Sequence, residues 1–225
     1  MSELTLLPEV REFLNRQHGH FINGLPVSGK GDAYFEVVNP ATEQVIAKVK
    51  EGTCEEVDAA MNAAYAAFKG SWANTTPMER GNCLNRLADL LEKHLEELAQ
   101  LETLSSGKTI QLSRFLEVGS AAQFLRYFAG WATKISGETL NVSLPSFNGE
   151  KYSAFTQREP VGVVAGIIPW NFSIMISIWK LAAALTCGCT IVLKPSEFTP
   201  LTMLRVAELA KEAGIPDGVI NIVNG

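Results

Sequence analysis

The chain of 225 residues has little of several things, and each shortage closes off a class of function. It holds only three histidines, His18, His20 and His94, and they do not form a metal-ligating set; surface roles suit them better, and no metal is expected. The four cysteines, Cys54, Cys83, Cys187 and Cys189, show no spacing that suggests a disulfide framework, so a reducing, cytoplasmic compartment is the simplest expectation. No run of six like charges occurs, and a net charge of -5 argues against a nucleic-acid partner, which needs clustered Lys and Arg. The opening segment, MSELTLLPEVREFLNRQ, lacks the cationic start and apolar core of a secretory signal. The most apolar stretch, Val161 to Leu193, is broken by Pro169, Asn171, Lys180 and Gly188. A bilayer span needs about 20 predominantly apolar residues, so no membrane partner is expected.

What the chain does have is an ordinary globular composition, 47% hydrophobic and 19% charged, enough for a real core. Pro8 to Gln17 reads as a short helix with Val10, Phe13 and Leu14 on one side. Asn23-Gly24 within Phe21 to Val27 is a hairpin signal, because both residues tolerate positive φ. Tyr34 to Val38 and Val45 to Val49 read as strands around the Asn39-Pro40-Ala41-Thr42 turn, and these strands are expected to form a small sheet ahead of the helices. Thr53 with Glu56 is a capping-box pattern, followed by an apolar stripe at Val57, Ala60, Met61, Ala64 and Phe68. Pro77 opens a helix from Met78 to Glu92, Leu95 to Leu104 continues as another, and an amphipathic segment runs from Phe115 to Ile135. Together these helices make a layer.

Between Gly137 and Glu159 the pattern changes to two polar strands, Thr139 to Leu144 and Lys151 to Arg158, joined through Pro145 and Gly149. Their two-sided polarity suits a projecting arm whose edges pair with another subunit. Val161 to Gly166, Ser173 to Cys187, Thr190 to Leu193, Leu201 to Ala213 and Val219 to Val223 then alternate strand and helix. That is βαβαβ, half of a doubly wound parallel sheet with apolar strands covered on both faces.

In such sheets ligands bind beyond the carboxyl ends of the strands. The residues there are Ile167, Ile168, Pro169, Trp170 and Asn171, then Lys194, Pro195, Ser196 and Glu197, then Asn224 and Gly225. The dinucleotide fingerprint G-x-G-x-x-G is absent, and Gly162 to Gly166 is only a fragment of it. Glu197 can accept the hydroxyls of a ribose and Lys194 can donate to the same sugar, but spacing alone slightly favours a solvated Lys-Glu pair at a helix start. The Asn171 amide can donate to a developing oxyanion; as an isolated feature it reads more simply as a helix N-cap.

Taken together, Gly166-Ile167-Ile168-Pro169-Trp170-Asn171-Phe172, Trp179-Lys180 and Val192-Leu193-Lys194-Pro195-Ser196-Glu197 strongly resemble the aldehyde dehydrogenase superfamily. Phe21-Ile22-Asn23-Gly24, Asn39-Pro40-Ala41-Thr42, Leu101-Glu102-Thr103 with Gly107-Lys108, Tyr127 to Ala132, Glu159 to Val163 and Gly214 to Val219 carry the same resemblance in the correct order. The opening Val10 to Gly24 resembles the bacterial phenylacetaldehyde dehydrogenases among them. The resemblance implies the N-terminal part of that α/β fold: strands and helical layer over 1–136, an oligomerisation arm over 137–159, and a dinucleotide-binding half sheet over 160–225.

It also implies roles. Asn171 would be the oxyanion donor, supported by Lys180 from the helix. Lys194, Ser196 and Glu197 would hold the adenosine ribose, with Glu197 favouring NAD over NADP. Ile167, Ile168, Pro169 and Trp170 would line the cofactor crevice, with Gly225 at its far side. Phe172, Met175, Ile176 and Trp179 would wall a tunnel for an apolar or aromatic aldehyde, and the arm would join a homo-oligomer. Three positions depart from the family pattern: Ser173 and Ala183 replace common prolines, and Cys189 stands where asparagine is frequent. Family chains are longer, so the nucleophile, the base and the catalytic domain are expected beyond Gly225, and none of the four cysteines matches the nucleophile. Cut there, the half sheet is expected to expose an unpaired edge and to self-associate or need a partner. The alternative is a non-catalytic short form that binds nucleotide weakly or assembles with full-length subunits.

Overall fold

The computed structural model describes residues 5–225. Residues 1–4, part of the segment read as lacking a signal and of the 1–136 unit, lie outside the described residues. The chain opens with helix α1 (Pro8–Leu14), which buries Val10 and Phe13. A hairpin follows, β1 (His20–Ile22) and β2 (Leu25–Val27), turned by Asn23 at φ 52° and Gly24 at φ 74°. This is the left-handed pair that a two-residue hairpin needs. Strands β3 (Tyr34–Asn39) and β4 (Gln44–Lys50) pair antiparallel.

Three helices come next: α2 (Cys54–Lys69), α3 (Pro77–Lys93) and α4 (Leu95–Ser106). The Thr53–Glu56 capping box forms, with Glu56 accepting the Thr53 N–H at 2.9 Å, and a second box joins Thr76 to Glu79 ahead of α3. Only small residues of α2, Ala60, Ala64 and Ala67, are buried with Glu56. The expected stripe is therefore corrected at Val57 and Met61, which are 45% and 39% exposed, because α2 lies close on a sheet that leaves room for alanines. Gly107, at φ 74°, ends α4. The expected amphipathic helix begins earlier than Phe115: α5 (Ile110–Leu112) leads into a π-helical segment, Ser113–Gly119, and then α6 (Ser120–Trp131).

The arm holds β5 (Thr139–Leu140) and β6 (Ala154–Phe155), which pair antiparallel over two residues each. The longer strands expected at 139–144 and 151–158 do not form among the described residues, where most of their side chains stay exposed. Leu144, Phe147 and Phe155 stand 64%, 85% and 74% exposed. The last third gives β7 (Val163–Ile167), α7 (Ser173–Thr186), β8 (Thr190–Lys194), α8 (Leu201–Glu212) and β9 (Ile220–Ile222). The strands β7, β8 and β9 are parallel, as the βαβαβ pattern requires. Side chains alternate across β8: Ile191 and Leu193 enter the main core, while Val192 joins a second cluster with Ala60 and Ala64 of α2. Both faces are thus covered.

The sheet has five strands, in the order β2-β1-β9-β8-β7. The expectation of one small leading sheet is corrected here, because the β1–β2 hairpin leaves β3 and β4 and adds to β9 through Phe21 opposite Ile222. The half sheet keeps one open edge, at β7, while β1 pairs with β9 on the other side and β2 lies outermost there. Asn221, fully buried, locks the junction: its Oδ1 accepts the Asn23 N–H at 2.9 Å and its Nδ2 donates to the Gly218 carbonyl at 2.7 Å. Among the described residues no helix is long and apolar enough to cross a membrane.

Candidate cofactor crevice and its loops

Three loops leave the carboxyl ends of β7, β8 and β9, and backbone bonds hold them side by side. The Ile168 N–H donates to the Lys194 carbonyl and the Val223 N–H to the Leu193 carbonyl, each at 3.0 Å. The third loop is clamped from behind: the Asn224 N–H donates to Nδ1 of buried His20 at 3.1 Å, and the Gly52 N–H donates to the Asn224 carbonyl at 2.7 Å. Burial holds the His20 imidazole below its ordinary value of 6.5, which keeps the ring neutral and Nδ1 free to accept. The surface roles expected for the histidines are corrected for His18 and His20, which are 6% and 1% exposed.

On the first loop, Ile167 and Trp170 are 74% and 56% exposed, and Pro169 is exposed beside them. Ile168 departs from its expected place: its side chain is 2% exposed and belongs to the main core rather than to the loop surface. Asn171 is exposed, and its side chain has no hydrogen-bond partner among the described residues. The N-cap of α7 is Phe172, with no side-chain cap bond, so Asn171 is not serving as the cap that its position suggested. Lys180 is also exposed, but no hydrogen bond joins it to Asn171; its aliphatic chain lies over Gly166, where an added Cβ would meet Lys180 Cδ at 3.3 Å. Phe172, Met175 and Ile176 are half-buried, and Trp179 packs on Phe124 with ring centroids 5.0 Å apart.

On the second loop Lys194 and Glu197 form no ion pair among the described residues. The helix they were expected to open starts later, at Leu201, so the solvated-pair reading fails on geometry. Glu197 is exposed; Ser196, 8% exposed, donates its hydroxyl to Glu197 Oε2 at 3.2 Å and accepts the Phe198 N–H at 3.3 Å. Lys194 Nζ reaches only the Pro195 carbonyl, at 3.4 Å. The first two loops therefore present one amide and one ammonium that no other side chain engages, and one carboxylate bonded only to the neighbouring Ser196 hydroxyl. Such groups at the ends of parallel strands fit a sugar diol and a polarised oxygen.

None of the cysteines lies on these loops. Cys54 and Cys83 sit on α2 and α3, and Cys187 and Cys189 precede β8 at the opposite end of the sheet. Burial as structural thiols holds for Cys83 and Cys189, whereas Cys54 and Cys187 are exposed. Sequence reasoning placed Asn224 on the third loop but missed His20 behind it, which no local signal marks. Their partners stand about two hundred residues apart in the chain, the His20–Asn224 pair being separated by 204.

The aldehyde dehydrogenase family model matches residues 27–225. The phenylacetaldehyde dehydrogenase of Pseudomonas fluorescens is 51% identical over 213 residues, covering 94% of this chain and 42% of that protein. The NAD+ complex of the Bacillus cereus aldehyde dehydrogenase superposes with a TM-score of 0.94 at 49% identity, over 100% of this chain and 45% of the other. A Pseudomonas enzyme, PnpE, solved with nicotinamide adenine dinucleotide, gives a TM-score of 0.86 at 42% identity over 93% of this chain and 42% of its own. The chain thus spans less than half the length of these relatives. With the loop geometry and a family match over most of its residues, the chain belongs to the aldehyde dehydrogenase family.

Proposed function

We propose that this chain supplies the dinucleotide side of an NAD-dependent oxidation of an apolar or aromatic aldehyde, such as phenylacetaldehyde, to its carboxylic acid. The observation that carries the reading is that the loop bearing the unpartnered Asn171 amide is bonded, through the Ile168 N–H and the Lys194 carbonyl, to the loop bearing Lys194 and Glu197, which form no ion pair among the described residues. Glu197, oriented by Ser196, accepts from the two hydroxyls of the adenosine ribose, and Lys194 donates to the same sugar. Ile167, Pro169 and Trp170 face the dinucleotide, with Gly225 across the crevice. The dinucleotide, when bound, supplies the hydride acceptor. Asn171 donates its side-chain N–H to the aldehyde oxygen as negative charge grows there, a preorganised contact worth about 3–4 kcal/mol in other enzymes. Phe172, Met175, Ile176 and Trp179 offer apolar walls to the substrate. Attack on the carbonyl requires a thiolate from outside these loops, and the exposed apolar arm joins chains into a homo-oligomer.

The test is a fluorescence titration, since Trp170 stands in the crevice. NAD+ and ADP-ribose are expected to quench it with saturation, and NADP+ to bind roughly tenfold more weakly, which corresponds to about 1.4 kcal/mol of repulsion at Glu197. Glu197→Gln is expected to narrow that ratio. Absence of saturable quenching by NAD+ and ADP-ribose alike overturns the reading.

A further inference from the structure

Beneath the Asn171 turn lies a set of buried charges that the cofactor crevice does not use. Glu102 of α4 and Glu117 of the π-helical segment are both 0% exposed. Lys108, from the loop between them, places its Nζ 3.2 Å from Glu102 Oε1 and 2.5 Å from Glu117 Oε1. The same ammonium sits 5.1 Å from the centre of the Phe172 ring. The two carboxylates then reach the start of α7. Glu102 Oε2 accepts the Ser173 hydroxyl at 2.6 Å and the Thr202 hydroxyl at 3.0 Å, and Glu117 Oε2 accepts the Met175 N–H at 3.2 Å. A Thr103–Ser113 hydroxyl bond of 2.8 Å ties α4 to the π-helical segment.

The arrangement solves a local problem. Helix α7 has no side-chain cap of its own, yet its first N–H groups need acceptors and its dipole favours negative charge. Glu117 meets part of that need by accepting the Met175 N–H, while Glu102 holds the Ser173 hydroxyl and Lys108 lies over the Phe172 ring, so three separate segments grip Phe172, Ser173 and Met175 directly after Asn171. The π-helical turn fits this account. Such turns insert a residue and re-aim the side chains after it, and this one brings Glu117 to α7. Burial against the two carboxylates would be unfavourable without Lys108, because an unpaired charge in the interior is strongly penalised.

We propose that Glu102, Lys108 and Glu117 are positioning residues that fix the first turn of α7, so that the Asn171 amide is held with its N–H groups free for a substrate oxygen. The inference rests on reading Asn171 as the oxyanion donor, but its test does not depend on cofactor binding. The charged groups facing Glu117 are Glu102 and Lys108; α7 and α8 bring only the neutral Ser173 and Thr202 to the cluster. Burial, and then the neighbouring Glu102 charge, push the Glu117 carboxyl upward.

The experiment uses the 15N-labelled full chain and follows the Asn171 side-chain amide, assigned by its loss in Asn171→Ser, with backbone exchange at Met175. In the unsubstituted chain the Asn171 amide is expected to be as ordered as the adjoining backbone. Glu117→Ala is expected to speed Met175 exchange at least tenfold and to average the Asn171 amide signals, while Ile191 and Leu193 of β8 keep their protection. Glu117→Gln retains an acceptor and is expected to return Met175 to within threefold. Acidification is expected to loosen Met175 in the unsubstituted chain, with a carboxyl titration that Glu117→Gln abolishes. Should Glu117→Ala fail to fold, Ser173→Ala is expected to shift the same signals about threefold. Unchanged Asn171 signals in a folded Glu117→Ala or Ser173→Ala chain overturn the proposal, as does a change that spreads equally to β8. Failure of the NAD+ titration with these shifts intact would count against the cofactor reading alone.

Discussion

Asn221→Ala tests the junction between the N-terminal hairpin and the parallel sheet. The side chain is fully buried and makes two bonds, from the Asn23 N–H and to the Gly218 carbonyl. Losing two neutral hydrogen bonds removes about 1 kcal/mol each. The groups left behind then differ: Asn23 is an exposed turn residue whose N–H water can reach, whereas Gly218 is buried and its carbonyl loses its partner. An unsatisfied buried acceptor costs about 1–3 kcal/mol, so the Gly218 side dominates and the total should be about 2–4 kcal/mol. At roughly 2–4 °C per kcal/mol for a chain of this size, the thermal midpoint should fall by roughly 5–15 °C. Asn221→Asp separates the halves, because it keeps the acceptor for Asn23 but turns a carboxylate toward the Gly218 carbonyl; it should be at least as damaging as alanine. Denaturant unfolding of the three chains, with amide exchange at Phe21 as a local probe, checks this. A loss under 0.5 kcal/mol, or Asn221→Asp recovering full stability, would refute the reasoning.

Two further outcomes are expected. His18 and His20 are held neutral by burial, while the unfolded chain takes up protons near the ordinary value of 6.5. Their contribution to stability is therefore complete above that pH and lost as pH falls below it, so the denaturant midpoint should drop between pH 7.5 and 5.5, and His20→Gln should lessen the drop. In the arm, replacing Phe147 and Phe155, both strongly exposed, with serine should lower the sedimenting mass toward that of a single chain, with little change in unfolding midpoint. Sedimentation as a single chain before substitution would count against assembly through the arm.

Much of the fold was legible because its signals are local. The Asn23-Gly24 turn, the Thr53–Glu56 box and Pro77 at a helix start each act within a few residues, and all three appear where expected. The βαβαβ pattern was readable since strands covered on two faces must be apolar. What was not legible depends on distant partners. Nothing near Phe21 announces that it pairs with Ile222 rather than with β3 or β4. At the site, Asn171, Lys194 and Glu197 were identifiable, but propensity alone preferred a cap and an ion pair, and only the structure shows that neither forms among the described residues. Glu117 did leave a trace: it lies four residues after buried Ser113 and four before buried Ala121, so a carboxylate occupies the apolar side of an amphipathic run. That anomaly signals a buried charge with a partner.

The placement of β1 beside β9 has a consequence for the order in which this chain acquires its structure. The hairpin turn and its anchor, Asn23 and Asn221, are separated by 198 residues. Closing so long a loop costs about 2 kcal/mol more in chain entropy than closing one a tenth as long. On a ribosome adding about 5–20 residues per second, a hairpin emerging first would wait roughly 10–40 s for its neighbour. Through that interval the backbone groups of β1 have no sheet to join, and a second nascent copy can offer them one. Among these five strands, the seam between β1 and β9 is the last able to form.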